Sequence, residues 1–516
     1  MLIADLLLRH LERDAGNSAR PHLNRQVYEV LRGALHRGEW AAGSKLPSSR
    51  ELAEDTGLSR NTVLFAYQQL LAEGYIVARG GSGTYVNNTW PERPTTARRP
   101  AARGGETGAR GVPAKAAAQP ISRRGELLLR DAGVSESPVG AFALGVSDTA
   151  LFPHATWARL LNRRWRHPPA ELLTYAHGGG FLPLRRALAE HLRLSRSVNC
   201  EADQVVVTTG VHQSIALVCH MLADAGDHAW LENPGYRGAR SLLRAAGLEV
   251  VPVPVDHDGL APDEATLAQP PRLMYVTPSH QFPLGMVMSV TRRQRLLEYA
   301  HRHGSWILED DYDSEFRFEG RPLPSLHGID DHGRVVYMGS LSKTLFPGVR
   351  IGYLVLPPSV AERCAAGFSE LYREGQLVQQ AALADFIGEG HLAVHLRRMR
   401  RRYARKQAIL RAAITRRLGA DWPISTHEAG MHLVLHLPDD LPPGRDDVAL
   451  CVAARAAGVV VRPLSRHYID GTPARQGLLL GYAGVPEDGI EPAFERLARA
   501  IEPALLRDTA GFAAAG

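Results

Sequence analysis

Apolar and polar positions change their rhythm twice along this chain. In "LPSSRELAEDTGLSRNTVLFAYQQLLAEGYIVARGGSGTYV" (46–86) apolar residues first recur at helical spacing and then alternate. Ser48 with Glu51 three positions on reads as a capping box, opening a short helix that Gly57 ends. Ser59 caps a second helix, with Val63, Ala66, Tyr67, Leu70 and Leu71 at core spacing and a stop at Gly74. "YIVARGGSGTYV" then reads as a hairpin with a glycine-rich tip. From residue 204 onward the pattern is different. Short apolar runs, "QVVVTTG" (204–210), "HAWLENP" (228–234), "RLMYVTP" (272–278), "SWILEDD" (305–311) and "RVVYMGS" (334–340), are mostly separated by helical stretches at 183–194, 212–223, 236–246 and 291–303. Buried strands alternating with helices predict an α/β fold, a mostly parallel sheet covered on both faces. Ligands in such sheets sit beyond the carboxyl ends of the strands.

Two helices joined by a tight glycine turn form a helix-turn-helix, whose second helix enters the DNA major groove by its N-terminal residues. Here those are Ser59, Arg60, Asn61 and Thr62, all able to bond base edges or phosphates, and Arg79 on the hairpin can reach phosphate or minor groove. The run "LPSSRELA" with "SRNTV" and "AYQQL" closely resembles the GntR-family winged helix, over residues 20 to 88. The resemblance implies that Arg50, Arg60 and the wing glycines Gly81 and Gly83 meet double-stranded operator DNA. Leu64 stands where many relatives carry arginine, which lowers the expectation of base contacts late in that helix.

Composition adds location rather than class. At 516 residues with 45% apolar and 22% charged positions, a globular chain of two or three domains is expected. No apolar run approaches the ~18 residues that span a bilayer, so no membrane role is expected. "MLIADLLLRHLERD" reads as an amphipathic helix rather than a signal peptide. The four cysteines are scattered without a C-x-x-C pair, which argues against disulfides or a metal site and fits the cytoplasm. Residues 91–125 hold eight Lys/Arg against two Glu, the whole of the net +6. Around that region, residues 89–135 are rich in Pro, Gly, Ala and Arg and read as a flexible basic linker.

The candidate chemistry lies beyond the linker. "SLSKTLFPGVRIGY" (340–353) carries a lysine, Lys343, directly after a strand. Pyridoxal phosphate needs an amine for a Schiff base, an acid to keep its pyridine nitrogen protonated and a phosphate cradle. Asp310 closes "SWILEDD" and offers the acid, and Tyr312 two residues on can donate to the phenolic oxygen. Asp311 and Asp313 are expected only to cap or to face solvent. "TTGVHQSIALV" (208–218) turns from strand to helix, aiming the amides of Val211 and His212 at an anion, with Ser340, Ser342 and Arg350 completing the cradle. Tyr236 in "ENPGYRG" can stack on the pyridine ring.

With "YAHGGGFLPLRRALAEHL" (175–192), "TPSHQFPLG" (277–285) and "EDDYDSEFRF" (309–318), residues 140 to 505 resemble a fold-type I aminotransferase with a small C-terminal α+β subdomain. Joined to the winged helix, the whole resembles the MocR/GabR group of regulators. That resemblance implies a head-to-tail homodimer in which Tyr175 reaches the partner's cofactor phosphate. It also implies a transcription regulator sensing pyridoxal phosphate or an amine. The alternatives are a working aminotransferase with a fused DNA-binding domain and a fold that has lost its cofactor. Two positions depart from the aminotransferase pattern. Phe282 replaces an asparagine that supports the phenolic oxygen, leaving His280, Gln281 and Tyr312 to compensate. Leu479 stands where an arginine grips the substrate carboxylate, with Arg462 and Arg475 nearby in sequence.

Overall fold

A computed structural model of the chain describes residues 4, 7, 23–87, 121–130, 140–175, 178–318, 320, 324–373, 375–425, 429–438, 441, 444–469 and 474–505. The expected N-terminal amphipathic helix, Ala4 and Leu7 apart, and most of the linker lie outside them. The chain divides into two compact units, Met1–Ala116 and Ala117–Gly516.

The first unit packs helices Leu23–His36, Ser49–Thr56 and Arg60–Ala72 against a hairpin of β1 (Ile76–Arg79) and β2 (Gly83–Val86). Its local signals behave as their chemistry dictates. Ser48 Oγ accepts from Glu51 N at 3.1 Å and Glu51 Oε2 from Ser48 N at 3.3 Å, and Gly57 ends the helix at φ 68°. Val63, Ala66, Tyr67 and Leu70 turn inward. Leu71, expected in the core, is 40% exposed, because Leu70 takes the inward position and the next residue is rotated about 100° away from it.

The second unit is built on an eight-stranded sheet in the order β3-β10-β9-β8-β7-β4-β5-β6. The strands are β3 (Val205–Thr208), β4 (His228–Asn233), β5 (Glu249–Asp256), β6 (Gly259–Leu260), β7 (Leu273–Val276), β8 (Trp306–Asp311), β9 (Val335–Ser340) and β10 (Gly352–Val355). From β9 through β8, β7 and β4 to β5 all pairs are parallel, while β10 runs antiparallel to both β9 and β3. Every residue of β3, β7, β8, β9 and β10 is buried, as a sheet covered on both faces requires. A second, antiparallel sheet orders β11 (Ile424–Ser425), β12 (His432–His436), β14 (Gly477–Gly481) and β13 (Arg462–Pro463). Inside the span read as linker, Arg123–Arg130 is helical and packs against the helix Arg237–Ala245. Among the described residues no helix is long and apolar enough to cross a membrane.

Candidate functional site

The parallel strands β8 and β9 deliver Asp310 and, just past Ser340, Lys343 at their carboxyl ends. Lys343 Nζ donates to the carbonyl of Gly145 at 2.9 Å. Burial pulls its pKa below the usual lysine value, against the opposing charges of Asp313 and Asp310, and so favours the neutral, nucleophilic amine. Asp310 accepts from the Tyr275 hydroxyl through Oδ2, while its buried Oδ1 has no partner among the described residues. Burial raises its carboxyl to about 7, with the Tyr275 bond working against that rise.

Ser340 Oγ caps the short helix Leu341–Thr344 by accepting from Ser342 N at 3.2 Å. Ser342 Oγ is buried and without a partner among the described residues. An unmade hydrogen bond at a buried polar atom costs ~1–3 kcal/mol, so a group bound beside Asp310 Oδ1 and Ser342 Oγ would gain by partnering them. The helix Val211–Leu222 starts from Gly210 at φ 120°, a backbone state that suits glycine, with Val211 and His212 in its first turn. A Cβ at position 210 would lie 3.6 Å from Arg350 Nη2, so that guanidinium stands over the helix start. Phosphate chemistry fits this set: first-turn amides, one guanidinium and a buried hydroxyl.

Tyr236 closes one side. Its hydroxyl bonds His212 Nε2 at 2.8 Å, and its ring lies nearly parallel to that of Tyr275 at 6.5 Å. A Cβ at position 238 would fall 2.6 Å from the Tyr236 hydroxyl, so this approach requires Gly238. Tyr312 meets His280 Nδ1 at 2.9 Å, a nitrogen that also lies 3.0 Å from Asp313 Oδ1. Tyr175 is 72% exposed.

Three readings change here. Asp311 and Asp313, expected to cap or to be solvated, are 4% and 1% exposed. Asp311 takes Arg196 Nε at 2.7 Å and the Tyr337 hydroxyl at 2.6 Å, and Asp313 faces His280, so both carboxylates are internal ties. Gln281 does not compensate for Phe282: its amide is spent on the Pro234 and Phe282 carbonyls, at 2.9 and 2.8 Å. Tyr275 and Gly145 went unread, since a strand tyrosine and a loop carbonyl carry no motif; the one available signal was a hydroxyl within the otherwise aliphatic β7.

In the first unit, Arg60 and Asn61 are exposed at the start of the second helix, and Arg50 is exposed on the helix before it. Ser59 is committed locally, accepting from Thr62 N at 3.2 Å and sharing a 2.8 Å bond with the Thr62 hydroxyl. Arg79 lies 4.8 Å from the centroid of the Tyr85 ring, beside a wing tip where Gly81 and Gly83 take φ of 72° and 120°.

Residues 143–497 match the family of class I and II aminotransferases, and residues 23–86 match the bacterial regulatory proteins of the gntR family. The probable rhizopine catabolism regulatory protein MocR of Rhizobium meliloti is 44% identical, over 92% of each chain. The pyridoxine biosynthesis transcriptional regulator PdxR of Corynebacterium glutamicum is 31% identical, over 92% of this chain and 95% of its own. Among solved structures, the α-aminoadipate aminotransferase LysN of Thermus thermophilus is 28% identical, with a TM-score of 0.64 over 74% of this chain and 95% of that one. Its ligand is a phosphopyridoxyl-leucine, and the class I and II family depends on pyridoxal phosphate. The chain belongs to the MocR-type regulators, in which a gntR-family helix-turn-helix is joined to an aminotransferase class I and II domain.

Proposed function

We propose that this chain is a DNA-binding transcription regulator that holds pyridoxal 5'-phosphate on Lys343 and responds to an amine or to the cofactor itself. The observation that carries the reading is that Asp310 Oδ1 and Ser342 Oγ are buried without a partner among the described residues, next in sequence or in charge to the Lys343 amine. Bound there, the cofactor supplies an aldehyde carbon that takes amines and a ring that withdraws electrons from them.

The chain's own residues have separate tasks in this scheme. Asp310 holds the pyridine nitrogen protonated through Oδ1, and Tyr275 keeps the carboxylate turned by occupying Oδ2. Ser342, Ser340, Arg350 and the first-turn amides of Val211 and His212 bind the phosphate. Tyr236 covers the ring, held in place by His212. Tyr312 donates to the phenolic oxygen, with His280 and Asp313 setting where its proton lies. A head-to-tail homodimer would bring Tyr175 of one protomer to the phosphate of the other, which accounts for an exposed tyrosine. Arg50, Arg60, Asn61 and the wing, with Arg79, Gly81 and Gly83, take the operator, and Ser59 and Thr62 shape the helix start that presents them.

The gntR-family match and the regulators among the relatives support DNA control over metabolic turnover. The test is borohydride reduction of the full chain loaded with pyridoxal phosphate, followed by peptide mass analysis. A pyridoxyl adduct on Lys343 is expected, and gel shifts on DNA flanking its own gene should change when the cofactor is added. Labelling of another lysine would overturn the site.

A further inference from the structure

The outward face of the helix Arg60–Ala72 is not uniformly polar. Val63, Ala66, Tyr67 and Leu70 bury one side of it. With about 100° between successive residues, Asn61, Phe65 and Gln68 fall on the opposite side, and Leu64 shares a flank with Arg60. Leu64 is 39% exposed and Phe65 41%, and Arg60, Asn61 and Gln68 are exposed around them. Two adjacent large apolar side chains therefore stand one turn above the residues that open the helix. A single exposed apolar residue is ordinary, but a pair side by side on such a helix marks a contact surface.

The chemistry of that surface names its partner. In a helix-turn-helix, here matched by the gntR family, the second helix enters the major groove by its N-terminal end. A rise of ~1.5 Å per residue puts Leu64 and Phe65 roughly 6 Å along the helix from Arg60 and Asn61, inside a groove about 8.5 Å deep. The base edges there offer hydrogen-bond donors and acceptors, and thymine adds a 5-methyl group, the apolar contact that these two side chains can make. Against the two acceptors of guanine the pair would strip water and return no hydrogen bond, so it rejects as well as attracts. Asn61, on the same face as Phe65, carries the amide that pairs bidentately with adenine, which also suits A·T pairs.

We infer that Leu64 and Phe65 are specificity residues that read thymine through its 5-methyl group, beside the bases that Arg60 and Asn61 meet. The inference rests on the DNA-binding reading above. Full-length wild-type protein would first select duplexes from a random pool. The selected duplex would then be remade with deoxyuridine for every thymine, which removes the 5-methyl groups and nothing else. Gel shifts on both duplexes would compare wild type with Leu64→Ala, Phe65→Ala and the double variant. Burying one methyl group is worth about fourfold in affinity, so wild type should bind the deoxyuridine duplex at least about fourfold more weakly. The double variant should bind the thymine duplex more weakly than wild type does, and should distinguish the two duplexes by less than about twofold. Both side chains are exposed and alanine is the best helix former, so thermal melts should not fall. An equal loss on deoxyuridine for wild type and double variant would overturn the inference. So would a selected site without thymine, or a double variant with undiminished affinity, and each of these would leave DNA binding standing. Failure of the wild type to enrich any duplex would instead sink both readings.

Discussion

The hydroxyl of Tyr275, on β7, donates to Oδ2 of Asp310 on the neighbouring parallel strand β8, and leaves Oδ1 of that carboxylate without a partner among the described residues. One oxygen is thereby fixed by the fold and the other is left for a ligand. Two adjacent parallel strands set this division, since both residues lie at the carboxyl end of the sheet, where α/β folds bind ligands.

Asp310→Asn should therefore separate fold stability from cofactor holding. Burial raises the Asp310 carboxyl to about 7, above the ~3.9 of an unfolded aspartate. The folded state thus retains a proton that the unfolded state has released, and stability falls as pH rises between these two values. Asparagine removes this dependence. In thermal melts of cofactor-free protein, the variant should gain relative to wild type as pH rises from about 4 to about 7. Cofactor retention should weaken by roughly tenfold or more, because a charge-assisted hydrogen bond worth ~1.5–3 kcal/mol is lost. A pH-independent difference in melting would show that Asp310 is already ionised in the fold.

Lys343→Ala removes the amine but leaves Ser342, Arg350 and the helix start intact. Pyridoxal phosphate should still bind, reversibly, and should be lost on dialysis where the wild type retains it. Because burial lowers the pKa of Lys343, its neutral form persists to lower pH than that of a free lysine. Covalent attachment in the wild type should thus form at neutral pH, and borohydride trapping across a pH series from mildly acidic to mildly alkaline checks this.

Much of this was legible in the sequence wherever the causing residues are neighbours. The Ser48–Glu51 box and the Ser59 cap are three-residue events, and the strand ends that carry Asp310 and Lys343 follow from apolar runs. What was not legible depends on partners far along the chain. Asp311 reads as a solvated acid until Arg196, 115 residues earlier, is brought beside it. Gln281 reads as a stand-in for the asparagine that Phe282 replaces until the backbone of Pro234 takes up its amide. Leu71 failed for another reason: both it and Leu70 fit a helical stripe, and only the tertiary packing chooses between adjacent residues.

The Arg196–Asp311 pair gives a prediction about stability alone. Arg196 is 6% exposed, bonds Asp311 at 2.7 Å and also reaches Ser279 Oγ at 2.5 Å. Arg196→Met leaves the buried carboxylate with the Tyr337 hydroxyl but without its cation, and breaking one side of such a pair costs ~3–5 kcal/mol. Urea unfolding should show this loss for Arg196→Met. The double change Arg196→Met with Asp311→Asn should recover part of it, since the uncompensated charge is then gone.

Ser59 and Arg60 are adjacent, yet they should fail in different ways. Ser59 spends its hydroxyl on Thr62, through the 3.2 Å bond to the amide and the 2.8 Å bond to the side chain. Ser59→Ala should destabilise the first unit by about 1 kcal/mol, the usual worth of an N-cap, and weaken DNA binding evenly across operator variants. Arg60 is exposed at the first position of the helix, so Arg60→Ala should leave melting unchanged. Its loss should cost about 1–3 kcal/mol of DNA affinity and relax preference at a single base position. Gel shifts on a set of single-base operator variants, run beside thermal melts, distinguish the two. If Arg60→Ala weakens every variant equally and flattens the salt dependence, Arg60 contacts phosphate rather than a base. If Ser59→Ala changes base preference without changing stability, the serine reads DNA directly and its capping bonds open on binding.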